Sequence, residues 1–519
     1  MSSGGAPTRV PWWQKAVVYQ IYPRSFSDSN ADGIGDLAGI RRRLGHFSWL
    51  GVDAIWLSPF YRSPMRDFGY DISDYCDVDP IFGTLEDFDR LVSDAHAAGI
   101  RIVVDFVPNH SSDQHPWFQA SRSSPTDPKR DWYVWRDPAP DGGPPNNWVA
   151  AFTNGPAWTF DESSGQYYLH LFLPEQPDLN WGNPEVVSAM HDTVRFWLDR
   201  GVDGFRIDVV HAIGKDPELA DDPQELIPIP HSALNHRPET HGLLRDLRRL
   251  LDSYPGDRMM VGEVYLLDTQ MVATYYGAGD ELHLSFNFPP LHTPWDAARW
   301  RRQVEITARE LDPVEAWPTW VLSNHDTVRH RSRYGGSEGR ARAAAVLLLG
   351  LRGTAFLYQG EELGLEDAKV PPERVVDPGG RDGCRAPIPW DAGSHHGWGT
   401  DDPWLPWPPE ADVRNVATQT DDETSMLYLY RRLLAVRRAS PALHVGDQQL
   451  FEDLPSGVLG WERTAGTDRY GVLVNFTSEP VVVTGLEGVV EVASDGDGEG
   501  VPFAQRLGAE QAVIVRLAS

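Results

Sequence analysis

The chain is poor in cysteine, in positive charge and in long apolar runs, and each lack narrows what it can be. Cys76 and Cys384 are its only cysteines in 519 residues. A disulfide framework is therefore not expected and a reducing compartment fits, with a single Cys76–Cys384 bridge as the alternative. Lysine and arginine number 46 against 75 acidic residues, a net charge of -29. Nucleic acid and anionic lipid surfaces attract clustered Lys and Arg, so neither is an expected partner. The strongest apolar run, 343–351, is far too short to cross a bilayer. Residues 1–7 lack the apolar core of a signal peptide. A soluble, cytoplasmic protein without membrane contacts is expected.

What is present is an alternation. Strand-like segments at 17–22, 54–57, 101–107, 204–209, 259–263, 282–288, 318–323 and 354–358 are mostly separated by helix-like ones. The latter fall at 37–50, 85–98, 184–200, 242–253, 295–311 and 339–351. Eight strands in this pattern predict an α/β fold, a closed parallel (β/α)8 barrel of the TIM type. The interruption at 110–181, rich in Pro, Gly, Asn, Asp and Trp, predicts a subdomain inserted after the third strand. A second irregular stretch, 367–408, follows the eighth strand. After a helix at 424–439, alternating segments at 457–463, 470–476, 480–484 and 512–517 predict an antiparallel β-domain. The expected division is a barrel at 1–109 and 182–440, the insertion at 110–181 and a C-terminal β-sandwich at 441–519.

Three carboxylates stand just past apolar runs: Asp208, Glu263 and Asp326. Desolvating a carboxylate costs several kcal/mol unless a partner or a function offsets it, and barrel enzymes carry their catalytic groups at the C-terminal ends of strands. Arg206 lies two residues before Asp208, hence on the same face of the strand, where it would hold Asp208 ionised. Glu263, after Gly262 and an apolar run, is expected to be the group with the raised pKa. An ionised and a protonated carboxyl roughly 5 Å apart are the equipment of a retaining glycosidase. A buried Arg–Asp pair tying adjacent strands is the plain alternative.

Asp105-Phe106-Val107-Pro108-Asn109-His110, Gly204-Phe205-Arg206-Ile207-Asp208, Gly262-Glu263 and Ser323-Asn324-His325-Asp326 resemble the ordered motifs of the α-amylase superfamily of glycoside hydrolases, family 13. Gln176-Pro177-Asp178-Leu179-Asn180 resembles the extra motif of its oligo-1,6-glucosidase branch. The resemblance covers about 17–440 and extends into the tail. It implies Asp208 as nucleophile, Glu263 as general acid/base and Asp326 as the carboxylate that stabilises the distorted sugar. His110 and His325 would donate to sugar hydroxyls. Asp67 and Tyr70 would meet the non-reducing glucose, Tyr70 by stacking, with Phe172 packed beside it. Arg385, in Arg381-Asp382-Gly383-Cys384-Arg385, would reach Asp67 across the pocket and close it behind one glucose.

Asp28, Asn30, Asp32 and Asp36 place oxygen side chains at alternating positions of one loop, which suits a hard cation. The resemblance implies that they and the Ile34 carbonyl hold a structural calcium or magnesium. An Asx-rich turn without metal is the alternative. The paired His395-His396 reads as loop surface. Nothing implies an organic cofactor.

The expected activity is exo-acting release of glucose from α-glucoside oligosaccharides, with transglucosylation, oligo-1,6-glucosidase action and sucrose or trehalose isomerisation as alternatives. Val209 resembles the residue of α-1,6-specific relatives. A non-catalytic, transporter-associated relative would need a transmembrane helix and could lose the carboxylates. Oligomeric state, monomer or homodimer, is not legible.

Overall fold

A computed structural model describes residues 10–222 and 236–518, so the reading of residues 1–7 falls outside the described residues. Eight parallel strands form the central sheet: β1 Val17–Ile21, β2 Ala54–Leu57, β3 Arg101–Phe106, β4 Gly204–Ile207, β5 Met259–Gly262, β6 Leu284–Ser285, β7 Thr319–Val321 and β8 Thr354–Tyr358. They lie in the order β6-β5-β4-β3-β2-β1-β8-β7. Between β6 and β7 a side chain replaces the ladder. Thr319 Oγ1 donates to the Ser285 carbonyl at 2.8 Å and accepts from Asn287 N at 3.1 Å. That closes the barrel, and it shortens β6 to two residues where the sequence suggested 282–288.

Strand residues alternate between two cores, as the period of two requires. Val18, Trp56, Val103, Val261, Val321 and Phe356 fill the barrel interior. Tyr19, Ile55, Val104, Phe205 and Met260 face outward under the helices. Gly262, next to Glu263, is required by packing. A Cβ there would sit 2.4 Å from Leu282 Cδ1.

Helix boundaries follow their caps. Leu85–Ala97 starts in a capping box of Thr84 and Asp87, and Pro184–Asp199 starts on Asn183 with proline in its first turn. The expected helix over 37–50 breaks at Arg43 into Leu37–Arg42 and Leu44–Leu50. The apolar run at 343–351 belongs to Glu338–Gly350, buried from Ala343 to Gly350. The helix packs against the strands Asp468–Asn475 and Ala512–Leu517 and the helix Met426–Ala439, which is why its run from Ala343 onward is apolar all round. Among the described residues no helix is long and apolar enough to cross a membrane.

The C-terminal sheet has five antiparallel strands in the order Asp447–Leu450, Val458–Ala465, Asp468–Asn475, Ala512–Leu517, Gly488–Ala493. The first and last of these were not legible. Val481–Val482, expected among the main strands, pairs instead with Arg506–Leu507.

The insertion holds the helix Pro116–Ser123 and a sheet of Trp135–Arg136, Gln166–Leu169 and Trp158–Asp161. Its two ends meet in antiparallel bridges, His110 to Asp178 and Tyr133 to Leu179. A hairpin of Tyr61–Arg62 and Asp74–Val78 follows β2, carries Asp67 and Tyr70, and was not foreseen. Cys76 and Cys384 are both unbridged thiols. His396, read as surface, is buried edge-on to Trp407.

Candidate active site

Register brings the first set of groups together. Asp105 is the partner of Arg206 in the β3–β4 pairing, and Arg206 and Asp208 share a face. Arg206 Nη1 donates to Asp105 Oδ1 at 2.8 Å and to Asp208 Oδ1 at 2.5 Å, while Nη2 donates to Glu263 Oε2. One buried guanidinium thus holds three carboxylates. The Arg206–Asp208 contact was expected from the sequence; the contacts with Asp105 and Glu263 were not. Burial pushes the Asp208 carboxyl up, opposed by Arg206 and reinforced by Glu263 and Asp105. Burial thus works against the expectation that Arg206 holds Asp208 ionised. Burial also raises Asp105, to about 6, against the pull of Arg206. Asp105 accepts from Trp56 Nε1 at 2.8 Å as well, at the top of the barrel interior.

A second set comes from loops. Arg381 Nη2 lies 2.6 Å from Asp67 Oδ1 and 2.6 Å from Asp377 Oδ1, and its Nη1 lies 3.0 Å from Asp326 Oδ1. Its guanidinium also covers the Phe152 ring at 4.9 Å. The bridge expected from Arg385 is thus made by Arg381. Arg385 is fully buried behind it, bonded to the His325 carbonyl at 2.8 Å, to Asp377 at 3.2 Å and to Asp326 at 3.1 Å. The physical reason lies in the short 3-10 turn Asp382–Arg385, which turns its last residue inward. The sequence offered two arginines four apart and no period to choose between them.

Gln176, whose motif carried no assigned role, donates from Nε2 to Asp67 Oδ2 and lies at 3.0 Å from His110 Nε2. The Asp67 turn is held from behind by Asp71, whose oxygens accept from Arg66 N, Asp67 N and Ser63 Oγ. Tyr70 is buried, with its ring stacked on His325 at 5.4 Å and its hydroxyl 2.5 Å from His325 Nε2. His325 Nδ1 meets Gln20 at 2.7 Å, so both ring nitrogens have protein partners. Burial pushes the His325 imidazole down to about 3, which leaves it neutral. Burial works against the charge of Asp326 too, yet its carboxyl is held well below the usual range. With His325 neutral, the cations responsible are Arg381, Arg385 and Arg206. Burial likewise lowers His110, which lies against Phe172 at 5.2 Å.

Above these groups lies a cavity of about 560 Å³. Asp67, Tyr70, His110, Phe172, Asp208, Glu263, Asp326 and Arg381 line it, with Phe152, Val209 and Tyr265. His325, Arg206 and Arg385 stand behind the wall rather than on it. Acidic groups crowd the floor, which favours a substrate that becomes positive as it reacts.

At the remote loop, Asp28 Oδ1 accepts from Asn30 N and Ala31 N and Oδ2 from Gly33 N, while Asp36 accepts from Ser29 N and Gly39 N. Asp32 Oδ1 accepts from Ile34 N, and its Oδ2 from Asn30 Nδ2. Among the described residues no three acidic, His or Cys side chains converge as an ion's ligands.

A barrel with carboxylates gathered on one guanidinium at its C-terminal rim, under a pocket shut at one side, is the site of an enzyme that works by carboxylate chemistry. The model of the alpha-amylase catalytic domain matches residues 20–446, and the chain belongs to the α-amylase family of glycoside hydrolases. It is 45% identical to a probable alpha-glucosidase of Rhizobium meliloti, over 90% of each chain. It is 37% identical to the oligo-1,6-glucosidase of Parageobacillus thermoglucosidasius, over 91% of each. Among solved structures it resembles the alpha-glucosyl transfer enzyme XgtA, at 42% identity and a TM-score of 0.89, covering 98% of this chain and all (100%) of that one. The trehalulose synthase MutB of Pseudomonas mesoacidophila follows at 34% identity and a TM-score of 0.92, with 98% and 100% coverage.

Proposed function

We propose that the protein is a retaining, exo-acting α-glucosidase that removes glucose from the non-reducing ends of short α-linked oligosaccharides. The observation that carries the reading is the pocket's two-part wall: Asp208 and Glu263 on one guanidinium, and Arg381 closing the far side between Asp67 and Asp326. Two carboxyls drawn to one guanidinium stand close together, which suits the retaining arrangement.

In this mechanism the Asp208 carboxylate attacks the anomeric carbon. The bond to the leaving oxygen breaks as Glu263 passes its proton to that oxygen. The pair needs one proton between them, and the reaction draws it from Glu263. Water then loses a proton to Glu263 and attacks the glucosyl carbon, which frees Asp208. Asp326, kept ionised by Arg381, Arg385 and Arg206, stabilises the cationic sugar between these steps. An alcohol in place of water gives transglucosylation, the second reading, favoured by the likeness to XgtA. The likeness to MutB keeps sucrose isomerisation as a further outcome. A preference for α-1,6 links rests on Val209 in the pocket wall and on the oligo-1,6-glucosidase relative.

Two finer readings accompany this one. A cytoplasmic location is supported by the two free thiols. A structural calcium or magnesium at Asp28, Asn30, Asp32, the Ile34 carbonyl and Asp36 is supported by an all-oxygen donor set. It is supported also by buried Asp28 and Asp36, which form no ion pair with any described residue. The amide hydrogen bonds account for the loop's conformation without the ion, so its contribution would be added stability.

The test is a product panel on maltose, isomaltose, sucrose, trehalose and a long maltooligosaccharide. Glucose should appear first from the long substrate. Mid-sized fragments appearing early would show an open, endo-acting cleft and overturn the exo reading.

A further inference from the structure

Lys215 stands a few residues past the nucleophile and has no part in the chemistry above. Its side chain is 8% exposed, and its ammonium meets Asp178 Oδ2 at 2.9 Å, Asn109 Oδ1 at 2.6 Å and the Ala212 carbonyl at 2.5 Å. Asn109 and Ala212 accept hydrogen bonds from it, and Asp178 is its ion-pair partner. The three partners come from three separate parts of the chain. Asn109 follows β3 and precedes His110. Ala212 ends the 3-10 turn Val210–Ala212 that follows Asp208 and Val209. Asp178 lies on the returning limb of the insertion, opposite His110.

Each contact leads on to the pocket. Asp178 also accepts from Leu171 N at 2.9 Å, beside Phe172. The turn after the nucleophile begins with Val209 at φ 42°, a conformation a β-branched residue rarely adopts and one that its surroundings must impose. Val209 and Ala212 pack with Leu171, Trp148 and Leu219, all but the last from the insertion. Stability alone does not call for a lysine here, because a buried ion pair can often be replaced by apolar groups at no loss.

We propose that Lys215 is a positioning residue: its one ammonium locks the insertion to the barrel and so sets His110, Phe172 and the turn behind Asp208. The proposal's activity readout rests on the α-glucosidase reading; its structural readout does not.

The test compares Lys215→Met with the double variant Lys215→Met, Asp178→Asn. The single variant leaves a carboxylate buried and unpaired, so both its melting temperature and its turnover should fall. In the double variant that charge is gone, and the melting temperature should return toward wild type. Turnover of an aryl α-glucoside should stay down by about tenfold or more, as expected when reacting groups are misplaced. Amide hydrogen exchange over 169–172 and 209–212 should remain faster than in wild type. Turnover that recovers in step with melting would show a merely structural tie and overturn the proposal, as would exchange at wild-type rates. If the wild type cleaved no α-glucoside, the functional reading would fail, and the exchange measurement would still decide the tie.

Discussion

The two walls of the pocket are built differently. One consists of strand ends: Asp208 and Glu263, with Asp105 and Arg206 behind them, are placed by the register of β3, β4 and β5, and a strand cannot slip without moving every side chain on it to the wrong face. The other consists of loops: Asp67, Arg381 and Asp326 are placed by one another and by Asp71, Asp377 and Gln176. The first wall is rigid because the barrel is. The second is rigid only while its charges and hydrogen bonds are paired. The strand wall therefore should decide whether a glycosidic bond breaks, and the loop wall which end of the sugar is seized.

The largest effects belong to the strand wall. Asp208→Asn keeps the shape and the hydrogen bond to Arg206 but removes the nucleophile, and turnover should fall by about a thousandfold or more. Thermal melting should confirm that the variant is folded. Near-wild-type rates on an aryl α-glucoside would contradict the assignment. Glu263→Gln should divide substrates by leaving group. Those with poor leaving groups need the proton and should lose about a hundredfold or more, while activated aryl glucosides lose much less in the first step. Equal losses on both classes would give Glu263 another role.

The same division explains what could be read from the chain. The β/α alternation and the positions of Asp208 and Glu263 past their strands follow from apolar periodicity, and the insertion after β3 from its loss; the order of elements agrees, while β6 is shorter, the helix before β5 starts earlier and the helix over 37–50 is split. Closure was expected but not its means between β6 and β7, where a threonine hydroxyl does the work of a ladder. Nor was the choice of Arg381 over Arg385, since both belong to one irregular loop whose conformation depends on Asp377 and on the short turn at its end. Gln176 was missed as a support because its partner Asp67 is distant in sequence, and Asp71 because its partners are mostly backbone amides of an irregular turn with no period to mark them.

Glu361 sharpens the point about strands. It too follows a barrel strand, β8, yet it lies outside the pocket, where it is buried with its carboxyl 3.1 Å from Tyr430 Oη and 4.0 Å from His330. Burial raises it to about 8. A carboxylate past a strand is thus a site residue only when its side chain reaches the rim.

Next in size are the loop-wall effects. Arg381→Met should raise KM for short α-glucosides by about tenfold or more, by removing the group that orients Asp67 and Asp326, with a smaller change in kcat. Arg385→Met acts on a fully buried group and should instead lower the melting temperature by the equivalent of about 3 kcal/mol. A pair of variants with the opposite pattern would return the closing role to Arg385. Glu361→Gln should change pH dependence rather than activity. A carboxyl raised in the folded state stabilises fully below its unfolded pKa of about 4.3, and that stabilisation is lost as pH climbs through the folded value of about 8. Melting temperature measured from pH 5 to pH 8 should therefore decline less in the variant than in the wild type. Parallel profiles would place the titration elsewhere.

The smallest effect is expected farthest from either wall. Asp32 lies exposed on the loop after β1, and its carboxylate accepts from Ile34 N and Asn30 Nδ2. If the loop holds a divalent cation, the ion stabilises the folded state by mass action, about 2.7 kcal/mol at a hundredfold its dissociation constant. Asp32→Ala should then lower the melting temperature and abolish the further lowering caused by a chelator, while turnover at moderate temperature stays near that of the wild type. Loss of the Asp32 hydrogen bonds alone would lower the melting temperature whether or not chelator is present, so the chelator response is what separates an ion from an Asx turn. Metal analysis that finds no ion, together with wild-type melting indifferent to chelator, would leave the turn as the whole account. A chelator that slows turnover without changing melting would instead move the ion into the mechanism, and with it the claim that this loop is independent of the pocket.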